Sequence, residues 1–274
     1  MARFGTTFVL EKENYMASIP AKAQQRVIDG LKKYVPLIKL LKSKDINESD
    51  TVVVVTDMLS DVFGYEKYGE ITSEFAIKKT FCDLAIKIDG GVVFLIEVKA
   101  IGIDLKADHI KQAVDYGANA GVDWVILTNS IVWKIYRIIF SKPVLHELVC
   151  EVDLDKISLK KESDLEMIHL VCKESLLKTA LEEFHSKKQV LSKHFIGNLL
   201  ISDSILDVLR KTIKKMNPDI RIEPEAIKQV LIDDVIKREL LEGEKAVEAT
   251  KKITKFNRVQ ANSQKKDNKL DSNV

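Results

Sequence analysis

The twenty residues Phe81–Ala100, FCDLAIKIDGGVVFLIEVKA, constrain the fold more than any other part of the chain. Two runs rich in Val, Ile, Leu and Phe flank Asp89-Gly90-Gly91, which is the signature of a β-hairpin. Centring the hairpin on Gly90 sets Asp83 opposite Glu97, and the alternation of side chains then puts Asp83, Glu97 and Lys99 on one face. Val92–Ile96 is apolar without a break, as in a strand covered on both faces. Charges that follow such a run sit at the rim of a buried sheet, where they must be solvated, paired or bound to a metal. An exposed strand end with a surface ion pair is the bland alternative.

The flanking patterns place this hairpin in a mixed sheet. Val27, Leu31, Val35 and Ile38 recur at helical spacing after Ser18 and Pro20, with a kink or break expected near Tyr34–Val35 because Pro36 lies inside the pattern. A second helix is expected from Asn47–Asp50 to Phe63, closed by Gly64. Strands are expected at Ile71–Ile77, Phe81–Ile88, Val92–Lys99, Trp124–Thr128 and Val132–Ile139, with an edge strand at Leu148–Leu154. A helix over Lys106–Ala118 makes Val92–Thr128 a strand–helix–strand crossover, so its two strands should be parallel. The fold class is therefore α/β, a mixed sheet flanked by helices over residues 1–155. Residues 156–245 carry only helical patterns, at 163–172, 175–184, 189–199, 204–216 and 224–241. Residues 246–274 read as a basic, flexible tail.

Among 274 residues, 46% are hydrophobic and 31% charged, and no apolar run is long enough to span a membrane. The N-terminus lacks a signal-peptide core, and Cys82, Cys150 and Cys172 form no CxxC pair, which fits a cytoplasmic protein with reduced thiols. The net charge of +2 is unevenly spread. Residues 20–45 and 251–274 each carry 7 Lys and Arg against 2 Asp and Glu, whereas residues 46–150 carry 10 against 15. Basic ends suit a polyanion and an acidic middle suits a divalent cation, although a solvated face also explains any single Lys run.

Further candidates lie on the helices. Gln112 and Tyr116 are spaced i, i+4, and His109 precedes them on the same side. Glu48 opens the second helix, where it could also serve as a favourable first-turn carboxylate. Glu74 could point into the acidic cluster, whereas Asp57 and Asp61 read as a polar helix face. The ordered run NESDT, VFGY, FCDLAI, FLIEVKA, QAVDYGANAGVDWVILTN and VWKIY resembles the nuclease domain at the N-terminus of type I restriction enzyme R subunits, a branch of the PD-(D/E)XK nuclease superfamily. The resemblance covers about residues 45–140.

That resemblance implies a restriction-endonuclease-like fold and a metal-dependent endonuclease acting on DNA, in restriction, defence or repair. It implies that Asp83, Glu97 and, less directly, Glu48 bind Mg²⁺, or Mn²⁺ in its place, with the Val98 carbonyl assisting. Lys99 would activate water or stabilise the developing charge, and Gln112 and Tyr116 would support the site. Cys82 stands where the superfamily carries Pro. No G-x-x-x-x-G-K-[ST] loop occurs, so the chain lacks the motor of an R subunit. Two rival readings keep the fold without the chemistry, namely a nucleic-acid-binding module and a protein-interaction module docking through the C-terminal helices. Cutting both strands of a duplex would favour a homodimer.

Overall fold

A computed structural model describes residues 19–77, 80–177 and 179–271. Ser18 and the N-terminal stretch read for a signal peptide lie outside the described residues. The chain divides into two compact units after Phe184. The first therefore extends past residue 155, where the strand pattern ends.

The first unit is built on a six-stranded mixed sheet whose spatial order follows the chain: β1 (Ile71–Ile77), β2 (Thr80–Ile88), β3 (Gly91–Val98), β4 (Trp124–Thr128), β5 (Val132–Ile139) and β6 (Leu145–Asp153). Every neighbouring pair is antiparallel except β3–β4, which is parallel and joined through α3 (Ala107–Ala120), as the crossover pattern predicts. The edge strand β6 begins at Leu145, earlier than its apolar pattern suggests, because β5 offers backbone partners from Val132 to Ile139.

Helices cover both faces. α1 (Ala21–Ser43) and α2 (Glu48–Asp61) bury Val27, Leu31, Tyr34, Ile38, Val55 and Leu59 against Leu84, Ile86, Phe94, Ile96 and Val98 of β2 and β3. Of the kink or break expected near Tyr34–Val35, the break does not occur, since α1 runs through Pro36 as one helix. Leu31, Tyr34 and Ile38 are buried on either side of Pro36, and that packing offsets the one lost backbone hydrogen bond. On the other face Ile110, Ala113 and Val114 of α3 pack on Ala85, Leu95, Val125, Leu127, Tyr136 and Ile138. Alternate residues of β3 thus enter different cores, which explains its unbroken apolar run.

α4 (Glu162–His169) and the connection to α5 (Lys173–Leu177) complete the first core with Leu165, Ile168 and Cys172. Arg26 of α1 locks this side together. Its guanidinium donates to both Glu174 carboxylate oxygens at 2.7 and 2.8 Å and to the carbonyls of Val62 and Phe63 at the end of α2. Gly64 (φ 85°) is needed there, because a Cβ would lie 2.5 Å from Arg26 Cζ.

α6 (Ala180–Val190) spans the division between the units. The second unit contains α7 (Lys193–Leu200), α8 (Asp203–Met216), α9 (Pro224–Val230) and α10 (Glu244–Asp271). The helix expected over 224–241 is instead interrupted, passing into a π-turn at Leu231–Val235 and a 3₁₀ turn at Arg238–Leu240. The stretch read as a tail is helical to Asp271, and its first turns bury Ala246, Ala249 and Ile253. Within this unit Asn198 ties three segments, donating to His194 O and Leu240 O and accepting from Thr250 Oγ1. All three cysteines are buried, and none forms a disulfide. Among the described residues no helix is long and apolar enough to cross a membrane.

Candidate active site

The β2–β3 hairpin turns through Asp89 and Gly90, both left-handed at φ 51° and 81°, so Ile88 pairs with Gly91 and Lys87 with Val92. This two-residue turn is tighter than one centred on Gly90. A β-bulge then leaves Val93 unpaired, and from Ile86–Phe94 to Leu84–Ile96 the register is the one expected from the sequence. The bulge matters because a slip of one residue would send Glu97 and Lys99 to the opposite face. Beyond Leu84–Ile96 the Asp83 carboxylate takes over from the backbone ladder, with Oδ2 accepting the Val98 N–H at 2.7 Å. On β1 the residue facing Asp83 is Glu74, whose left-handed backbone (φ 48°) takes it out of the paired register, and its side chain is exposed.

Four of the expected site residues converge. Glu97 is only 2% exposed, and its Oε1 accepts from Lys99 Nζ at 2.6 Å. The same ammonium lies 3.7 Å from Glu48 Oε2, brought there by the first turn of α2. Asn47 caps that helix by accepting the Asp50 N–H at 2.8 Å. Burial pushes the Glu97 carboxyl up to about 7, against the opposing pull of Lys99, and the nearby Asp83 charge adds to the rise. Burial also raises Asp83 above the usual carboxylate range, against the lowering effects of the Val98 N–H and Lys99. Burial works to lower Lys99, but Glu97, Glu48 and Asp83 outweigh it and hold the amine above its ordinary value.

Glu97 Oε2 is buried without a hydrogen-bond partner. An orphaned carboxylate oxygen beside a second carboxylate is the donor set a hard divalent cation takes. Among the described residues no group of three or more His, Cys, Asp and Glu forms a ready-made cage. A cation here would therefore rest on few protein oxygens and keep several waters, as Mg²⁺ does.

Gln112 and Tyr116 occupy a different position. Gln112 Nε2 donates to Tyr116 OH at 2.8 Å along α3, and among the described residues no hydrogen bond or ion pair joins either to the carboxylates. Tyr116 packs on the core beneath α3, and Gln112 is exposed. His109 accepts the Lys106 N–H at the start of the same helix. Asp57 and Asp61 bind Lys67 and Lys33, on the polar side expected of them. Trp133 and Tyr136 of the VWKIY segment are core residues, the indole packing edge-on against Phe63 with ring centroids 4.8 Å apart.

Three anchors escaped the sequence reading: Thr51, Asn129 and Lys134 hold successive points of the loop that follows Lys99. Of these, only Asn129 carries a local signal, since Asn129-Ser130 is a turn-forming pair between the strand patterns that end at Thr128 and begin at Val132.

Residues 54–148 match the family described as type I restriction enzyme R protein N terminus. The match covers about a third of the chain and fits a nuclease-like domain of type I R subunits, the family the motifs resemble. It contains Asp83, Glu97, Lys99, Gln112 and Tyr116, while Glu48 lies just before it. It points to a nuclease-related role. No curated protein and no solved structure matches the chain.

Proposed function

We propose that the protein is a metal-dependent endonuclease that hydrolyses DNA phosphodiester bonds, with Asp83, Glu97 and Lys99 as its working residues. The single observation that carries this reading is the buried, unpartnered Glu97 Oε2 beside Asp83 and Lys99. Asp83 and Glu97 would hold Mg²⁺ or Mn²⁺, with Glu48 and the Val98 carbonyl as accessory donors. When bound, the cation supplies Lewis-acid polarisation of the phosphoryl oxygen and a more acidic water.

The chain's own groups do the rest. The Asp83 carboxylate is fixed in direction by the Val98 N–H. The Lys99 ammonium, kept protonated by three carboxylates, is placed to stabilise charge as it develops on the phosphate. Gln112 and Tyr116 brace each other on α3 and would meet the nucleic-acid backbone. The first unit, which runs to Phe184, would form the nuclease domain, and the C-terminal helices beyond it would serve a protein partner or a second copy of the chain.

Incubating supercoiled plasmid, linear duplex and single strands with Mg²⁺, Mn²⁺ or EDTA tests this reading. Metal-dependent cleavage by the wild type, absent with EDTA and in Asp83→Ala, is the expected result. Salt-sensitive DNA binding without cleavage would identify a binding module on the same fold. Equal cleavage by Asp83→Ala would remove the assigned site.

A further inference from the structure

The loop from Ala100 to Lys106 runs directly from Lys99 to α3, so it links the two parts of the proposed site. It belongs to no strand, yet side chains from three separate elements grip its backbone at alternate residues. Thr51 Oγ1 of α2, fully buried, accepts the Ile101 N–H at 3.1 Å while donating to Asn47 O at 2.7 Å. Asn129 Nδ2, between β4 and β5, donates to Ile103 O at 2.9 Å. Lys134 Nζ of β5 donates to Leu105 O at 3.2 Å.

Asn129 is the centre of this arrangement. It is 6% exposed, and its Oδ1 accepts the N–H groups of Ile131 at 3.1 Å and Val132 at 2.8 Å. These bonds close the turn around Ser130, whose φ of 71° is left-handed. The residue before it, Thr128, accepts the Lys99 N–H at 2.8 Å through its carbonyl. One side-chain amide therefore couples the end of β4, which fixes the Lys99 backbone, to the middle of the loop leaving Lys99. An ordinary turn would need only the Oδ1 bonds. The Nδ2 bond contributes nothing to the turn and acts solely on the loop.

We propose that Asn129, with Thr51 and Lys134, is a positioning residue that fixes Lys99 against Glu97 and sets the start of α3 relative to them. Its role in cleavage rests on the nuclease reading above. Its effect on Lys99 does not.

Asn129→Asp separates the two functions of the side chain. It keeps the acceptor that closes the turn and replaces the donor with an oxygen facing the Ile103 carbonyl. Thr51→Val, close in shape, releases the Ile101 end and serves if Asn129→Asp fails to fold. Two readouts are needed: single-turnover cleavage of a labelled duplex in Mn²⁺, and the rate at which an amine-modifying reagent labels Lys99, mapped by mass spectrometry.

Positioning predicts a cleavage rate lower by about 10- to 100-fold at unchanged duplex affinity, the scale of a misplaced reacting group. It also predicts severalfold faster labelling of Lys99 with the fold retained by circular dichroism. Unchanged Lys99 labelling in a folded variant would overturn the proposal, as would faster labelling with an unchanged cleavage rate. A wild type that cuts nothing would defeat the nuclease reading alone, and the labelling comparison would still decide the positioning of Lys99.

Discussion

Replacing Glu97 by Gln should stabilise the metal-free protein at alkaline pH. The carboxyl is buried at 2% exposure, one oxygen has no partner, and burial has moved it from the ordinary 4.5 up to about 7. A folded-state pKa above the unfolded one means that the group's contribution is full below about pH 4.5 and is lost as pH rises through about 7. At about 1.4 kcal/mol per pH unit, the difference corresponds to a cost of about 3 kcal/mol for the ionised side chain above pH 7.

The rise to about 7 is already net of the pull of Lys99; the amide oxygen of the substituted glutamine can still accept the Lys99 hydrogen bond but loses its charge-assisted part, which leaves a net gain of about 1–3 kcal/mol. For a unit of this size the melting temperature should rise by about 2–10 °C. Thermal melts in EDTA at about pH 5 and about pH 8.5 read the effect, with the advantage of the variant largest at the higher pH and shrinking as wild-type Glu97 takes up its proton. A variant no more stable than wild type at the higher pH, or a gap that does not change with pH, would refute the reasoning.

Further outcomes follow from other parts of the first unit. Gly117→Ala in α3 would improve helix propensity by up to about 1 kcal/mol in an open helix. Here the added Cβ would come within 2.9 Å of Val125 Cγ1 and closer still to Ile138 Cδ1, so a net loss of about 1–3 kcal/mol is expected in urea titration. The Arg26 hydrogen bonds hold the Glu174 carboxyl below its ordinary range. That stability is present above the unfolded carboxyl's pKa and disappears as pH falls through the folded one. Glu174→Gln should therefore destabilise at neutral pH by about 1 kcal/mol, since the pair is partly exposed, with the difference vanishing under acid denaturation.

The sheet was largely legible in the chain, because β3 is buried on both faces and β4 lies inside the same sheet. Both wrote themselves as unbroken apolar runs, and the helical spacing between them dictated a parallel pairing. Asp83, Glu97 and Lys99 were legible as charges at the end of such a run. Their convergence depends on a feature the letters do not announce, the bulge at Val93 that compensates for a two-residue turn. Pro36 does not break α1 because local propensity is overridden by the burial of Leu31, Tyr34 and Ile38. Thr51, Asn129 and Lys134 were invisible as loop anchors since the bonds they make join residues between 26 and 50 positions apart. Gln112 and Tyr116 were correctly placed on one side of α3, but helical spacing alone could not show that their bond is to each other.

The most direct measurement is single-turnover cleavage of a labelled DNA duplex in Mn²⁺ by wild-type protein and by Lys99→Ala, with duplex affinity recorded in parallel. Lys99 holds Glu97 at 2.6 Å and supplies the cation of the site, so its removal should lower the rate by about 100-fold or more at similar affinity. Cleavage by highly purified Lys99→Ala at the wild-type rate would contradict the assignment of the chemistry to Asp83, Glu97 and Lys99.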